Sequence, residues 1–223
     1  MIQIPSLQKI ERSIKERRDE DASLVNWWLL ILVLTPLTLG VYYIYVYLFK
    51  RTSRVNAFIV RKKAYYESIL EFTEQYSSEK GSYDSIRTEV SDLKDLVNHR
   101  FSNEIKEINV LLTLLFSLLT LGIWCWVYQY KMNRIWNDLQ KLEQDFDDSI
   151  SKVWIKLGIL KYPVNFALDR SKNRSYGLNL LLTIITGGLW YYVWDYKLHT
   201  DPDSLYKEFH SAEDTILQAA RAA

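Results

Sequence analysis

Three stretches of the chain, residues 24–49, 108–130 and 175–194, carry no charged residue, while charge is dense between them. None of the three shows the polar stripe that a surface helix of a water-soluble protein carries along one side. Uncharged apolar runs of about 20 residues are the length that bilayers select, so the pattern predicts membrane segments rather than buried core helices.

Between these blocks the apolar residues fall at helical spacing. Val55, Phe58, Ile59, Tyr66, Ile69, Phe72 and Tyr76 recur at threes and fours, Glu79-Lys80-Gly81-Ser82 interrupts them, and Ile86, Val90, Leu93, Val97, Phe101 and Ile105 resume the pattern. The spacing predicts an antiparallel helical hairpin. Met132, Ile135, Leu139, Leu142, Phe146 and Val153 follow an a/d pattern, repeated on a smaller scale by Leu205, Phe209, Ala212 and Ile216 and by Leu7, Ile10 and Ile14. Such seams need partners, either one another within the chain or another subunit. Residues 152–168, including Trp154, Tyr162 and Phe166, are apolar yet punctuated by lysines and Pro163, which suits an interfacial segment.

The predicted fold class is therefore an all-α membrane protein: three short apolar helical hairpins, or kinked spans, alternating with amphipathic, coiled-coil-like helical arms. The segments are an N-terminal amphipathic helix (1–23), membrane repeat 1 (24–49), a helical hairpin (50–106), membrane repeat 2 (107–131), an amphipathic helix with the interfacial segment (132–174), membrane repeat 3 (175–197) and a C-terminal amphipathic helix (198–223).

The three apolar blocks read as copies of one motif. The first is Thr35-Pro36-Leu37-Thr38-Leu39-Gly40-Val41-Tyr42-Tyr43-Ile44-Tyr45. The second is Ser117-Leu118-Leu119-Thr120-Leu121-Gly122-Ile123-Trp124-Cys125-Trp126-Val127-Tyr128, and the third Thr183-Ile184-Ile185-Thr186-Gly187-Gly188-Leu189-Trp190-Tyr191-Tyr192-Val193-Trp194. Each has Ser or Thr, two spacers, Thr, one spacer, Gly, an aliphatic residue and an aromatic run closed by Lys. The string Leu119-Thr120-Leu121-Gly122-Ile123-Trp124, followed by Trp126, Tyr128, Tyr130 and Lys131, resembles the signature of a prokaryotic membrane domain of unknown function, family four-two-three-four. The resemblance covers about a third of the chain, and Pro36 and Gly187 depart from it. It implies membrane insertion and carries no catalytic residue.

Each block is interrupted near its middle by Thr-x-Gly, so it either crosses once with a kink or returns as a hairpin within one leaflet. Basic residues flank every block on both sides: Lys15, Arg17 and Arg18 precede the first and Lys50, Arg51 and Arg54 follow it. Positive residues concentrate on the cytoplasmic side of a crossing segment, so flanks of equal sign favour hairpins with both ends in the cytoplasm. Ser23, Ser82, Ser149 and Ser211 are then all expected on that side. A turn at mid-depth must have its backbone groups satisfied, by protein neighbours or by its own Thr hydroxyls. The membrane-turn residues are Thr38, Gly40, Thr120, Gly122, Thr186 and Gly188. Tyr42, Tyr43, Tyr45, Trp124, Trp126, Tyr128, Trp190, Tyr191 and Trp194 are the expected interfacial aromatics, since such rings favour the headgroup boundary.

The formal net charge is +1, which gives no reason to expect nucleic acid, and one cysteine, Cys125, excludes a disulfide framework. The charged run before residue 24 is unlike a secretory signal. His99, His199 and His210 are scattered over the polar arms without metal-ligand spacing and read as surface residues, so no metal and no cofactor is expected. Glu143, Asp145, Asp147 and Asp148 read as a solvated helical face. Asp195 reads as a boundary residue paired with Lys197, and Asn26, Asn109 and Asn179 as polar links between helices. The expectation is a non-enzymatic integral scaffold of the cell membrane, both termini cytoplasmic, whose partners are the lipid bilayer and either further copies of itself or other subunits of a membrane complex. The alternative is a subunit of a channel, transporter or larger membrane complex.

Overall fold

The structure, a computed structural model, describes residues 5–17, 24–164, 169–172 and 174–223, and every regular element among them is helical. Helix α1 is Pro5–Lys15. Helix α2 runs through Trp27–Leu29, a π segment Leu30–Leu34 and Thr35–Leu37. Helix α3 joins Val41–Ile44, a π segment Tyr45–Lys50 and Arg51–Glu79. Helix α4 joins Arg87–Asp95, Leu96–Phe101 and Ser102–Glu104. Helices α5 (Val110–Leu119), α6 (Ile123–Lys156), α7 (Tyr176–Ile185) and α8 (Leu189–Ala222) follow.

Each uncharged block folds back on itself. The Phe116 and Trp124 rings lie 4.8 Å apart, and the Trp190 indole donates to Asn179 Oδ1 at 2.9 Å. Cys125 Sγ lies 3.6 Å from Ser117 Oγ, whereas one straight helix would separate residues eight apart by about 12 Å. The blocks are therefore helix–turn–helix hairpins: α2 with α3, α5 with α6, and α7 with α8. No helix among the described residues is long and apolar enough to cross a membrane.

The second helix of each hairpin does not stop where the apolar block ends. Helices α3, α6 and α8 continue without a break into the polar arms, and α6 and α8 are each 34 residues long. Contacts among these three keep a nearly constant sequence interval. Tyr47 donates to Gln129, 82 residues on; Thr52 meets Tyr128, 76 on; the Trp154 indole donates to Thr73, 81 back. Between α3 and α8 the interval runs from 144 for Arg51 and Asp195 to 152 for Arg61 and Glu213. Constant intervals mean parallel helices, so all three turns lie at one end of the bundle. Gly40 and Gly122 are themselves 82 residues apart, and Gly40 and Gly188 are 148 apart. Tyr47 and Gln129, Tyr43 and Tyr191, and Arg51 and His199 thus hold equivalent places after their glycines and meet between hairpins.

Helix α1 runs antiparallel to α3, with Ser6 donating to Gln75 and Ser13 to the Arg61 carbonyl. Helix α4 returns beside α3, and Asn56 clamps the chain leading to α5 by bonding both the N–H and the carbonyl of Ile108. In the middle of the bundle Phe58 packs on Trp136, Tyr206 and Phe209, with ring centroids 5.0–6.2 Å apart. Leu139, Leu142, Phe146, Leu205, Phe209, Ile216 and Ile10 all join this core. The amphipathic seams are thereby satisfied within one chain, and burying each such side chain contributes about 1.5–3 kcal/mol.

The expected interfacial segment is divided. Its first residues, including buried Val153 and Trp154, complete α6; Val164 is buried and bonds Ser151 Oγ at 2.9 Å; Tyr162 is exposed. Phe166, like Arg18 and Ser23, lies outside the described residues.

Candidate functional site

The three Thr-x-Gly turns share one hydrogen-bond scheme. Gly40, Gly122 and Gly188 have φ of 86°, 91° and 96°, the left-handed conformation that glycine adopts without cost. Each glycine N–H bonds the carbonyl five residues back, on Thr35, Ser117 and Thr183, at 2.7–2.8 Å, as at a Schellman helix end. The hydroxyls of Thr38, Thr120 and Thr186 donate to the carbonyls of Leu34, Phe116 and Leu182. The same oxygens accept from the N–H of Tyr42, Trp124 and Trp190 at the start of the outgoing helix. One Thr thus closes the first helix and caps the second, and the turn needs no neighbour to satisfy it.

This freedom leaves the turns exposed. Leu39 and Leu121 are 94% and 95% solvent-accessible, and Leu37, Val41, Leu118, Leu119, Ile123, Ile184, Ile185 and Leu189 are exposed beside them. Leu39 and Leu121 also have φ of 51° and 50°, a region that costs an L-residue roughly 1–2 kcal/mol; in the third turn this position is Gly187, φ 60°. A bulky apolar residue therefore holds a strained backbone position without touching the rest of the protein.

The nine expected interfacial aromatics differ in how far they face outward. Of the nine, only Tyr45 is classed as exposed; Tyr42, Trp124, Trp126 and Trp190 are half-buried, and Tyr128 and Trp194 are buried. Tyr43 and Tyr191 bond each other at 3.3 Å between hairpins, and Tyr128 donates to the Tyr47 carbonyl at 2.7 Å. Parallel packing turns one side of each aromatic run inward, so these rings tie the hairpins together. Asn26 and Asn109 cap the incoming helices, bonding Trp28 and Leu29 N–H and Leu112 N–H, and of the three asparagines Asn179 reaches across its own hairpin.

Asp195 is not a boundary residue paired with Lys197. It is fully buried, accepting two bonds from Arg51 at 2.5 and 3.2 Å and one from the Trp27 indole at 2.8 Å. His199, one turn further on, is buried rather than on the surface: its Nε2 donates to the Val25 carbonyl at 2.8 Å, which leaves Nδ1 to accept from Arg51. Burial, reinforced by the Arg51 charge, lowers the His199 pKa to about 4, so the ring is neutral at pH 7. His99 is exposed.

The acidic face on α6 is likewise partly internal. Lys62 bonds Glu143 at 2.5 Å and Glu213 at 2.7 Å; Arg61 and Arg17 also bond Glu213, and the Tyr66 hydroxyl donates to Glu143. Burial would raise the Glu213 pKa, but Lys62, Arg61 and Arg17 together hold it well below the usual carboxylate range. Asp147, buried with both oxygens unpaired, goes the other way: desolvation and the adjacent Glu143 charge push it far above that range. Asp145 and Asp148 point outward, and Asp145 pairs with Arg100. Largely closed off from solvent, this cluster joins the chain just after α1 to α3, α6 and α8. Among the described residues no group of three His, Cys, Asp or Glu is placed to hold a metal ion.

The class that fold and site define is an all-helical bundle presenting three apolar turns at one end. Comparison with protein-family models, with curated proteins and with solved structures finds no match for this chain.

Proposed function

We propose that the protein is a non-enzymatic membrane scaffold that inserts its three hairpin tips into the cytoplasmic leaflet and holds its arms in the cytoplasm. One observation carries this reading: strained Leu39 and Leu121 stand almost wholly exposed at the tips, and a lipid interior is the surrounding that rewards both exposure and apolarity. The dimensions agree. Helix α5, with 10 residues, is about 15 Å long, half of a hydrocarbon core of about 30 Å. The self-satisfied turns meet the demand that lipid-exposed backbone be hydrogen-bonded. Basic flanks on both sides of each block favour the cytoplasmic leaflet. Three wedges in one leaflet would also shape the membrane.

Two experiments test the reading. In vesicle flotation, Leu39→Ser with Leu121→Ser is expected to weaken binding strongly without lowering helix content; unchanged flotation would remove the tips from the function. In a Cys125→Ser background, single cysteines at Ser82, Ser149 and Ser211 are expected to stay unlabelled by an impermeant maleimide until cells are permeabilised. Labelling of Ser82 and Ser149 from opposite faces would favour the channel or complex-subunit reading instead.

A further inference from the structure

Each outgoing helix carries a lysine at nearly the same height below its turn. Lys50 follows Gly40 by ten residues, and Lys131 and Lys197 follow Gly122 and Gly188 by nine. At 1.5 Å per residue this is about 14 Å from the tip, the depth at which half a bilayer's hydrocarbon gives way to headgroups. The three ammonium groups sit over aromatic rings of their own helices: Lys50 over Tyr45 at 5.6 Å, Lys131 over Trp124 at 5.8 Å and Lys197 over Trp190 at 5.9 Å. Lys50 and Lys131 are exposed and Lys197 is half-buried.

The other charges at this height are paired or offset among the described residues. Arg51 is neutralised by Asp195, Arg54 by Asp203, Arg134 by Asp138 and Arg174 by Asp201. Lys106 and Glu107, both exposed, offset each other in the chain leading to α5. None of the three lysines has a carboxylate within ion-pair distance among the described residues. Among the described residues this leaves three positive charges, one per hairpin, at the junction of apolar tips and polar arms.

We propose that Lys50, Lys131 and Lys197 form a collar that binds the phosphates of anionic phospholipids and makes docking selective for negatively charged membranes. The inference rests on the membrane reading above and deepens it. With the tips in the hydrocarbon, each lysine lies level with the phosphates, its ammonium held at that depth by the ring face beneath it. Near an anionic surface one such charge strengthens binding about fivefold, so the collar supplies roughly a hundredfold.

The test is flotation of the full chain with vesicles of phosphatidylcholine alone and of phosphatidylcholine mixed with phosphatidylglycerol. The expected result is roughly hundredfold tighter binding to the mixture, lost at high salt. K50Q/K131Q/K197Q should lose that preference while binding phosphatidylcholine as before, and K50R/K131R/K197R should restore it, with all variants equally helical. Equal binding of the wild type to both vesicles, or an undiminished preference in the Gln variant, overturns the collar and leaves the membrane reading standing. Failure to float with either vesicle overturns both.

Discussion

Arg51 and Asp195, 144 residues apart in sequence, form a two-pronged ion pair that is buried on both sides and joins the first hairpin to the third. Removing one partner of such a pair strands the other charge in a low-dielectric interior, at a cost of about 3–5 kcal/mol. Arg51→Met and Asp195→Leu are each expected to lower stability by that amount in detergent-solubilised denaturation. Together they should cost clearly less than the sum, because the double variant leaves no charge unpaired.

Glu213 and Asp147 are expected to respond in opposite directions. Glu213→Gln removes the carboxylate that Lys62, Arg61 and Arg17 share, leaving Lys62 to Glu143 and Arg17 to Asp214, and should cost about 3–5 kcal/mol at pH 7. The wild type loses the same contribution as pH falls below the ordinary Glu value of 4.5, because its folded-state pKa is the lower one. Asp147 has a raised folded-state pKa, so its burial costs stability increasingly as pH rises above 3.8. Asp147→Asn should therefore stabilise by about 1–2 kcal/mol at neutral pH and have no effect near pH 3. Denaturation curves at the two pH values check both.

His199 makes a third pH-dependent contribution. The unfolded chain protonates it near 6.5 and the folded chain near 4, so between these values the unfolded state binds more protons and stability rises with pH. The term amounts to up to about 3 kcal/mol and is level above pH 6.5. His199→Gln, which keeps a donor for the Val25 carbonyl and an acceptor for Arg51, is expected to flatten the pH–stability curve in that window.

The turns predict a trade between stability and docking. Gly187→Leu places in the third turn the residue that the first two carry, and should cost about 1 kcal/mol of stability through its positive φ while strengthening vesicle binding. Leu121→Gly should do the reverse. Thr120→Val removes the bonds to Phe116 and Trp124 and is expected to cost about 1–2 kcal/mol in thermal melts.

Helical character was legible because apolar spacing reports it directly: Val55, Phe58, Ile69, Phe72 and Tyr76 recur at threes and fours, and all five are buried. The Thr-x-Gly interruption was legible too, since a helix cannot run undisturbed through a residue that favours positive φ. The buried charges were not. Glu143 sits between Leu142 and Phe146, and Glu213 beside Ala212, so a single helix shows them only as flanking a seam. They become interior because three parallel helices enclose a wider core than two would. One signal was available: counted from its own glycine, Arg61 falls at the same place as Glu143, and Tyr65 at the same place as Asp147 and Glu213. The repeat sets Arg61 level with Glu143, but parallel packing decides the contacts: Lys62, one residue on, meets Glu143, and Arg61 meets Glu213.

Helices α3, α6 and α8 each carry a tip and an arm on one continuous rod, and cross-links such as Arg51 with Asp195 hold the rods at fixed spacing. On the proposed membrane reading, three weak anchors would therefore meet a surface as one multivalent unit. Once the first tip had entered, the other two would be held at high effective concentration beside the same surface, and none could leave alone without bending a helix. Residence on the surface should consequently fall far more steeply than in proportion as tips are disabled one by one.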